Sequence, residues 1–414
     1  MLPWSGGTVR RAALVVVALA ACSYAAFNTP LGADYPGPTC KGCDFAGPPI
    51  DALASGSLTR FFETQPFMGP TTLLLRAPVV AVVRAAAGNE LTQYRVGALI
   101  CLLVAAAAMG LLVANVPARR WRWLLQALLL AFVLAGPLTV KALWWGHPEE
   151  IVGAVLCACA VLLSSRGSPL LAGLLLGLAI ATKQWAVLAI LPVLLVCPRD
   201  RLRLLAVAAG VAALLLAPML IGDPSRFLSQ NLDAGLVLVK GSTSNVTPTN
   251  IWFAYRVHTN LIIGPGGAAV ATDYGIPAAL AAVSHPLVFA LAVLLPLIFW
   301  RRFAKPTAAD ALLLLALLFL IRCLLDPLTI SYHHVPFLVA IAVSEALRRR
   351  GFPVVTVISV AALWVLVQWV APAGNAVELN DIYLAWALPV TGYLTLCCVL
   401  PGTRPFRSPD GLLA

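Results

Sequence analysis

Charged side chains are scarce in this chain: Asp, Glu, Lys and Arg make up 11% of its 414 residues, against 61% hydrophobic residues and a mean hydropathy of +0.91. That balance excludes a water-soluble globule. Alternating polar and apolar segments of the kind that build a transmembrane barrel are also missing. Lipid offers no hydrogen bonds to a bare backbone, so helices are the solution that remains. No internal repeat is found, which argues against folds made of paired halves.

What is present is a series of apolar runs of roughly 18–22 residues, each long enough to cross the hydrocarbon core as a helix. About twelve spans are read, at 12–28, 96–115, 123–142, 150–165, 169–182, 184–197, 203–221, 281–299, 308–325, 335–347, 353–371 and 383–400. The expected fold is therefore all-α and polytopic, a single integral membrane domain over residues 1–414 with both termini cytoplasmic. The two spans flanking Lys183 are short and are expected to be tilted, broken or re-entrant. The first run follows Arg10 and Arg11 and contains "LAAC", which also fits a lipoprotein signal; a retained first helix is the plainer reading.

The net charge of +11 does not mark a nucleic-acid binder, because of where the charges fall. Arg10/Arg11, Arg119/Arg120/Arg122, Arg166, Arg199/Arg201/Arg203, Arg301/Arg302/Lys305, Arg348/Arg349/Arg350 and Arg404/Arg407 occupy alternate loops. Such alternation is the positive-inside pattern of a plasma-membrane protein. It places most acids and all five histidines (His147, His258, His285, His333 and His334) on the extracytoplasmic side.

Two long loops share that side. The first, 29–95, holds "IDALASGSLTRFFE" and "TTLLLRAPVVAVVRAA", which fit helices lying in the interface. The second, 222–280, holds "GSTSNVTPTNIWFAYRV", a polar and aromatic stretch suited to cover a substrate. Cys40 and Cys43 form a lone CxxC, read as a local disulfide or two free thiols rather than a metal site. Neither a metal nor a cofactor is expected.

Several residues carry candidate chemistry. Asp44 precedes the first interfacial segment, where partial desolvation suits a carboxylate to base work, although on spacing alone a helix cap or solvated loop residue is the plainer reading. Asp34 and Asp51 compete with it. "GHPEE" puts His147, Glu149 and Glu150 in an outer hairpin turn stiffened by Pro148. "GLLLGLAIATKQW" joins Gly173 and Gly177, at the spacing of close helix packing, to Lys183, either a snorkelling lysine or a cation for an anionic headgroup. Trp144, Trp145 and Trp185 read as interfacial belt residues. "DPLTISYHHVPF" sets His333 and His334 at the outer end of a span, where ionisable groups are functional candidates.

Taken in order and sidedness, the aspartate before "ALASGSL", the "GHPEE" hairpin, "AGLLLGLAIATKQWAVLAILPVLL" and "SYHHVPFL" resemble the GT-C superfamily. The nearest resemblance is to glycosyltransferase family 87, the polyprenol-phosphate-mannose-dependent mannosyltransferases of actinobacteria. The resemblance implies an inverting transferase that moves a sugar from a polyprenyl-phosphate donor to a hydroxyl of a lipid or glycan on the outer face. It maps the catalytic base to Asp44, a late histidine to His333 or His334, and the "ATK" lysine to Lys183. The spacing from Asp44 to "SGSL" is short for the family pattern, and the usual aromatic after the aspartate is not evident, so Asp34 and Asp51 stay open as bases. A departing phosphate needs charge stabilisation rather than an acid, for which Lys183, one of the histidine pair and Arg322 are candidates. The alternative is a secondary transporter of about twelve spans.

Overall fold

The computed structural model describes residues 6–29, 46–64, 69–117, 121–225, 227–228, 243–263, 269–348, 353–371 and 375–400. Asp34, Cys40, Cys43 and Asp44 lie outside the described residues. Helix α1 is Gly6–Phe27. Three helices follow in the first loop: α2 (Gly47–Ala54), α3 (Leu58–Glu63) and α4 (Pro70–Ala85). Next come α5 (Glu90–Ala114), α6 (Arg122–Ala135), α7 (Pro137–Trp144), α8 (Glu149–Ser165) and α9 (Pro169–Ile180). A 3-10 turn, Gln184–Ala189, leads into α10 (Ile190–Leu195), followed by α11 (Arg201–Gly222). The second half holds α12 (Ala278–Arg302), α13 (Ala308–Leu325), α14 (Val335–Leu347), α15 (Val354–Val365) and α16 (Ala376–Val399).

Seven of these stretches are long and apolar enough to cross a membrane, with α6 and α7 counted as one, and the protein is a multi-pass membrane protein. The others are shorter, including Pro169–Ile180 and Gln184–Leu195. The segment around Lys183 is broken, as its length suggested: an extended residue at Lys183 (φ −155°, ψ 136°) separates α9 from the 3-10 turn. Between Asp310 in its first turn and Arg322 in its last, helix α13 is apolar on every side and 89% of its span is buried, so it forms the centre of the bundle against α12, α14 and α16.

The Gly173/Gly177 spacing works as read. A methyl group at Gly177 would lie 2.6 Å from the Ala208 carbonyl oxygen and 2.7 Å from Val211 Cβ, and Gly173 meets Leu204 and Val207 in the same way. Only glycine lets α9 and α11 approach so closely. Trp185 departs from the belt reading. It is 6% exposed, edge-on to Phe319 and packed on Gly153. Its flat ring fills the gap that the missing side chain of Gly153 leaves in α8.

A small sheet in the second loop is an element the apolar runs do not announce. Strands β1 (Thr243–Asn245), β2 (Val257–Ile263) and β3 (Ala269–Pro277) pair antiparallel in the order β1-β3-β2. The segment between β1 and β2 is stitched to the bundle. Thr247 N–H donates to Pro327 O (2.9 Å), Asn250 Nδ2 to Pro327 O (2.8 Å) and Trp252 Nε1 to Leu325 O (2.5 Å). Asn380 of α16 holds it from the other side, donating to the Pro248 and Asn250 carbonyls (2.8 Å each).

Connectivity gives the bundle two unlike ends. Arg122, Arg166, Arg199, Arg201, Arg301, Arg302 and Arg348 gather at one. Two of the acids there are helix caps: Asp310 closes a capping box with Thr307, and Glu345 accepts from the Val355 and Thr356 N–H groups at the start of α15, while Asp200 stands between Arg199 and Arg201 without a side-chain cap bond. The opposite end collects the histidines and the remaining buried acids.

Candidate active site

The α7–α8 turn is built by its glycine. Gly146 sits at φ +83°, its N–H donates to Leu143 O (3.0 Å), and the His147 N–H donates to Ala142 O (2.9 Å). That pair of bonds is a Schellman stop, which requires a left-handed residue at this point. Pro148 then starts α8, so Glu149 and Glu150 fall in its first turn, where the helix dipole favours carboxylates.

Both glutamates are fully buried. Glu149 Oε1 accepts from His147 Nδ1 (2.7 Å) and from Lys183 Nζ (3.1 Å), and Glu150 Oε1 lies 3.9 Å from the same ammonium. Lys183 therefore points into the protein rather than out to the interface. Its loop is braced by the start of α4: the Gly69 N–H donates to Thr182 O (3.0 Å) and the Thr71 N–H to Ala181 O (3.2 Å).

Tyr332 joins this group to the next wall. The His147 ring stacks on it at 4.8 Å with 25° between planes, and His333 meets it edge-on at 4.7 Å. The adjacent histidines then diverge. His333 Nδ1 accepts from the Ile330 N–H (3.2 Å), so the neutral ring carries its proton on Nε2, and no hydrogen bond among the described residues engages that nitrogen. His334 is fully buried. Its Nδ1 donates to Ser331 O (3.0 Å), leaving Nε2 to accept from the Tyr383 hydroxyl (3.0 Å). Burial pushes the His334 imidazole down to about 4. Burial and then the nearby Arg322 charge hold His333 well below the usual value as well.

Arg322, in the last turn of α13, is largely buried with its guanidinium 5.9 Å from the Trp185 ring. Its nearest carboxylate is Asp326, at 3.9 Å, and among the described residues no hydrogen bond is made by the guanidinium. Asp326 also faces His285 Nε2 at 3.7 Å. Burial alone would raise the Asp326 carboxyl, but its pairing with His285 and the Arg322 charge outweigh that and keep it well below the usual carboxylate range.

The structure thus brings His147, Glu149, Glu150 and Lys183 into one cluster, with His333 and Arg322 on the adjoining wall, and turns His334 towards α16. Asp51 is engaged elsewhere, accepting from Arg84 of α4. The sequence marks Asp326 only as the aspartate near the histidine pair and His285 only as one of five histidines on one side; their pairing is not evident in it. Among the described residues no group of His, Cys, Asp and Glu has the makings of a metal site.

A helical membrane bundle with acid, imidazole and guanidinium groups converging at one end has the layout of an enzyme acting at a membrane surface. The chain belongs to glycosyltransferase family 87, whose model matches residues 66–327, more than half of its length. It is a glycosyltransferase of the GT-C superfamily, and the transporter reading is set aside. No curated protein matches the chain.

Proposed function

We propose that the protein moves a hexose, mannose by family resemblance, from a polyprenyl-phosphate donor to a hydroxyl of a lipid or glycan acceptor, with inversion, on the outer face of the plasma membrane. The reading joins twelve crossings into one membrane domain over residues 1–414, the shorter helices completing the seven long ones. The loops 29–95 and 222–280 stand over the active face.

One observation carries the assignment of the donor site: Arg322 is largely buried, yet its guanidinium makes no hydrogen bond among the described residues. A planar fork of donors left in that state suits a phosphate group. His333 presents Nε2–H beside it, and Lys183, fixed by Glu149, adds positive charge. As the sugar–oxygen bond breaks, the leaving phosphate gains negative charge, and these donors stabilise it without a general acid. Asp44 takes the proton of the acceptor hydroxyl, with Asp34 as its rival; the pairing of Asp51 with Arg84 makes Asp51 the weaker contender. His147, Glu149 and Glu150 orient the substrates.

The test is transfer of labelled mannose from polyprenyl-phosphate mannose to a lipid extract by the reconstituted full chain. Wild type is expected to form a glycosylated product of inverted anomeric configuration. Arg322→Ala should weaken donor use, and Asp44→Asn should lower turnover about 10²–10⁴-fold with donor binding kept. Absence of transfer by wild type, or full activity of both variants, overturns the reading.

A further inference from the structure

Trp144 and Trp145 are adjacent and both exposed, at 43% and 50%, but they stand in different surroundings. Consecutive helical residues project about 100° apart. Trp144 turns to the end of α1, its Nε1 donating to Asn28 O (2.9 Å) and the Lys141 ammonium lying 5.4 Å from its ring. Trp145 turns the other way, to Tyr332, at 6.5 Å with 37° between planes. Tyr332 in turn stacks on His147. Three rings at shallow angles therefore run from the surface to the imidazole that Glu149 holds.

We infer that the Trp145 indole is an acceptor subsite that binds a pyranose ring by stacking. A pyranose has one face of C–H bonds, which an exposed indole covers well, and a rim of hydroxyls that the stacking leaves free. The position selects the acceptor. A donor phosphate held by Arg322 and His333 occupies the inner wall, so the second substrate approaches over the rim, where Trp145 is exposed. The inference rests on the transferase reading. It makes the acceptor a glycan or glycolipid rather than a simple lipid alcohol.

The test uses the full chain in nanodiscs. The probe is octyl β-mannopyranoside, whose H1, H3 and H5 share one face, below its micellar concentration, and the control is an octyl ether of sorbitol, which has the hydroxyls but no ring. In saturation-transfer NMR the ring C–H protons of the pyranoside should be saturated by wild type, mostly retained by Trp145→Phe and lost in Trp145→Ala. With polyprenyl-phosphate mannose as donor, Trp145→Ala should raise the pyranoside KM about tenfold, leaving the donor KM and the melting temperature unchanged. Equal saturation by wild type and Trp145→Ala, or none by wild type, overturns the subsite. So does an equal loss for pyranoside and sorbitol ether, which would make Trp145 a bilayer or donor contact. Saturation that depends on Trp145 without any sugar transfer would leave the subsite standing and refute the transferase reading instead.

Discussion

Gly69→Ala is a one-carbon change that should disable the site from outside it. The backbone at Gly69 (φ −76°, ψ 166°) is open to any residue, so conformation does not forbid alanine. The obstacle is the neighbour: a Cβ there would sit well inside contact distance of the Ala181 carbonyl, a backbone group that cannot rotate away. Relief requires the α4 start and the 181–183 loop to part by about 1 Å. That breaks or stretches the bonds from the Gly69 N–H to Thr182 O and from the Thr71 N–H to Ala181 O, at 3.0 and 3.2 Å. Two such bonds are worth about 2 kcal/mol together. The larger effect falls on Lys183, the next residue, whose ammonium is held 3.1 Å from Glu149. A misplacement of about 1 Å in a positioning group costs on the order of 10²-fold in rate. Thermal melting in detergent should therefore show a folded but less stable protein, and steady-state transfer should fall about a hundredfold. Gly110→Ala is the control, since it faces open space on α5 and replaces glycine with a better helix former. Wild-type turnover in Gly69→Ala would refute the claim that α4 sets the position of Lys183.

The histidine pair should separate by readout. His333→Ala is expected to lower turnover and raise the donor KM with the smaller loss of melting temperature, since it removes one hydrogen bond, whereas His334→Ala removes two and should lower the melting temperature more; the reverse pattern would show that the roles are exchanged. Stability should also depend on pH. The folded His334 imidazole, pushed down to about 4, refuses a proton that the unfolded chain accepts near 6.5, so stability is intact above about 6.5 and declines as the pH falls towards 4. The full loss is about 3 kcal/mol, with His333 acting in the same direction and Asp326 entering only below its own ordinary range. Melting curves between pH 7.5 and 4.5 should show this slope in wild type and a flatter one in His334→Gln; identical slopes would refute it.

The long apolar runs were legible because lipid permits few alternatives to a helix, and the helical contacts of Gly173 and Gly177 follow from spacing alone. The α7–α8 turn was legible from its proline, but the burial of Glu149 and Glu150 was not, since it depends on Lys183 from another segment. Trp185 was misread because an interfacial tryptophan and a buried one have the same local sequence; what decides is the missing side chain at Gly153, on another helix. The division between His333 and His334 depends on Tyr383, far along the chain, and no local pattern encodes it. The sheet was hidden by its short strands, one of which is only Thr243–Asn245. Asp326 and His285 belong to separate helices, so their pairing appears only when α12 and α13 pack.

Helix α16 has a consequence for biogenesis. Its Tyr383 holds His334 and its Asn380 holds the Pro248 and Asn250 carbonyls, yet it is the last of the described helices to leave the ribosome. Until it is inserted, a buried imidazole and the strap that carries Asn250 lack these partners. The earlier helices can pack during synthesis, but the wall bearing His333 and Arg322 has no final brace. Packing of the earlier helices and completion of the histidine-bearing end are therefore separable, and a nascent chain halted before α16 would sit in the membrane with these polar groups uncovered.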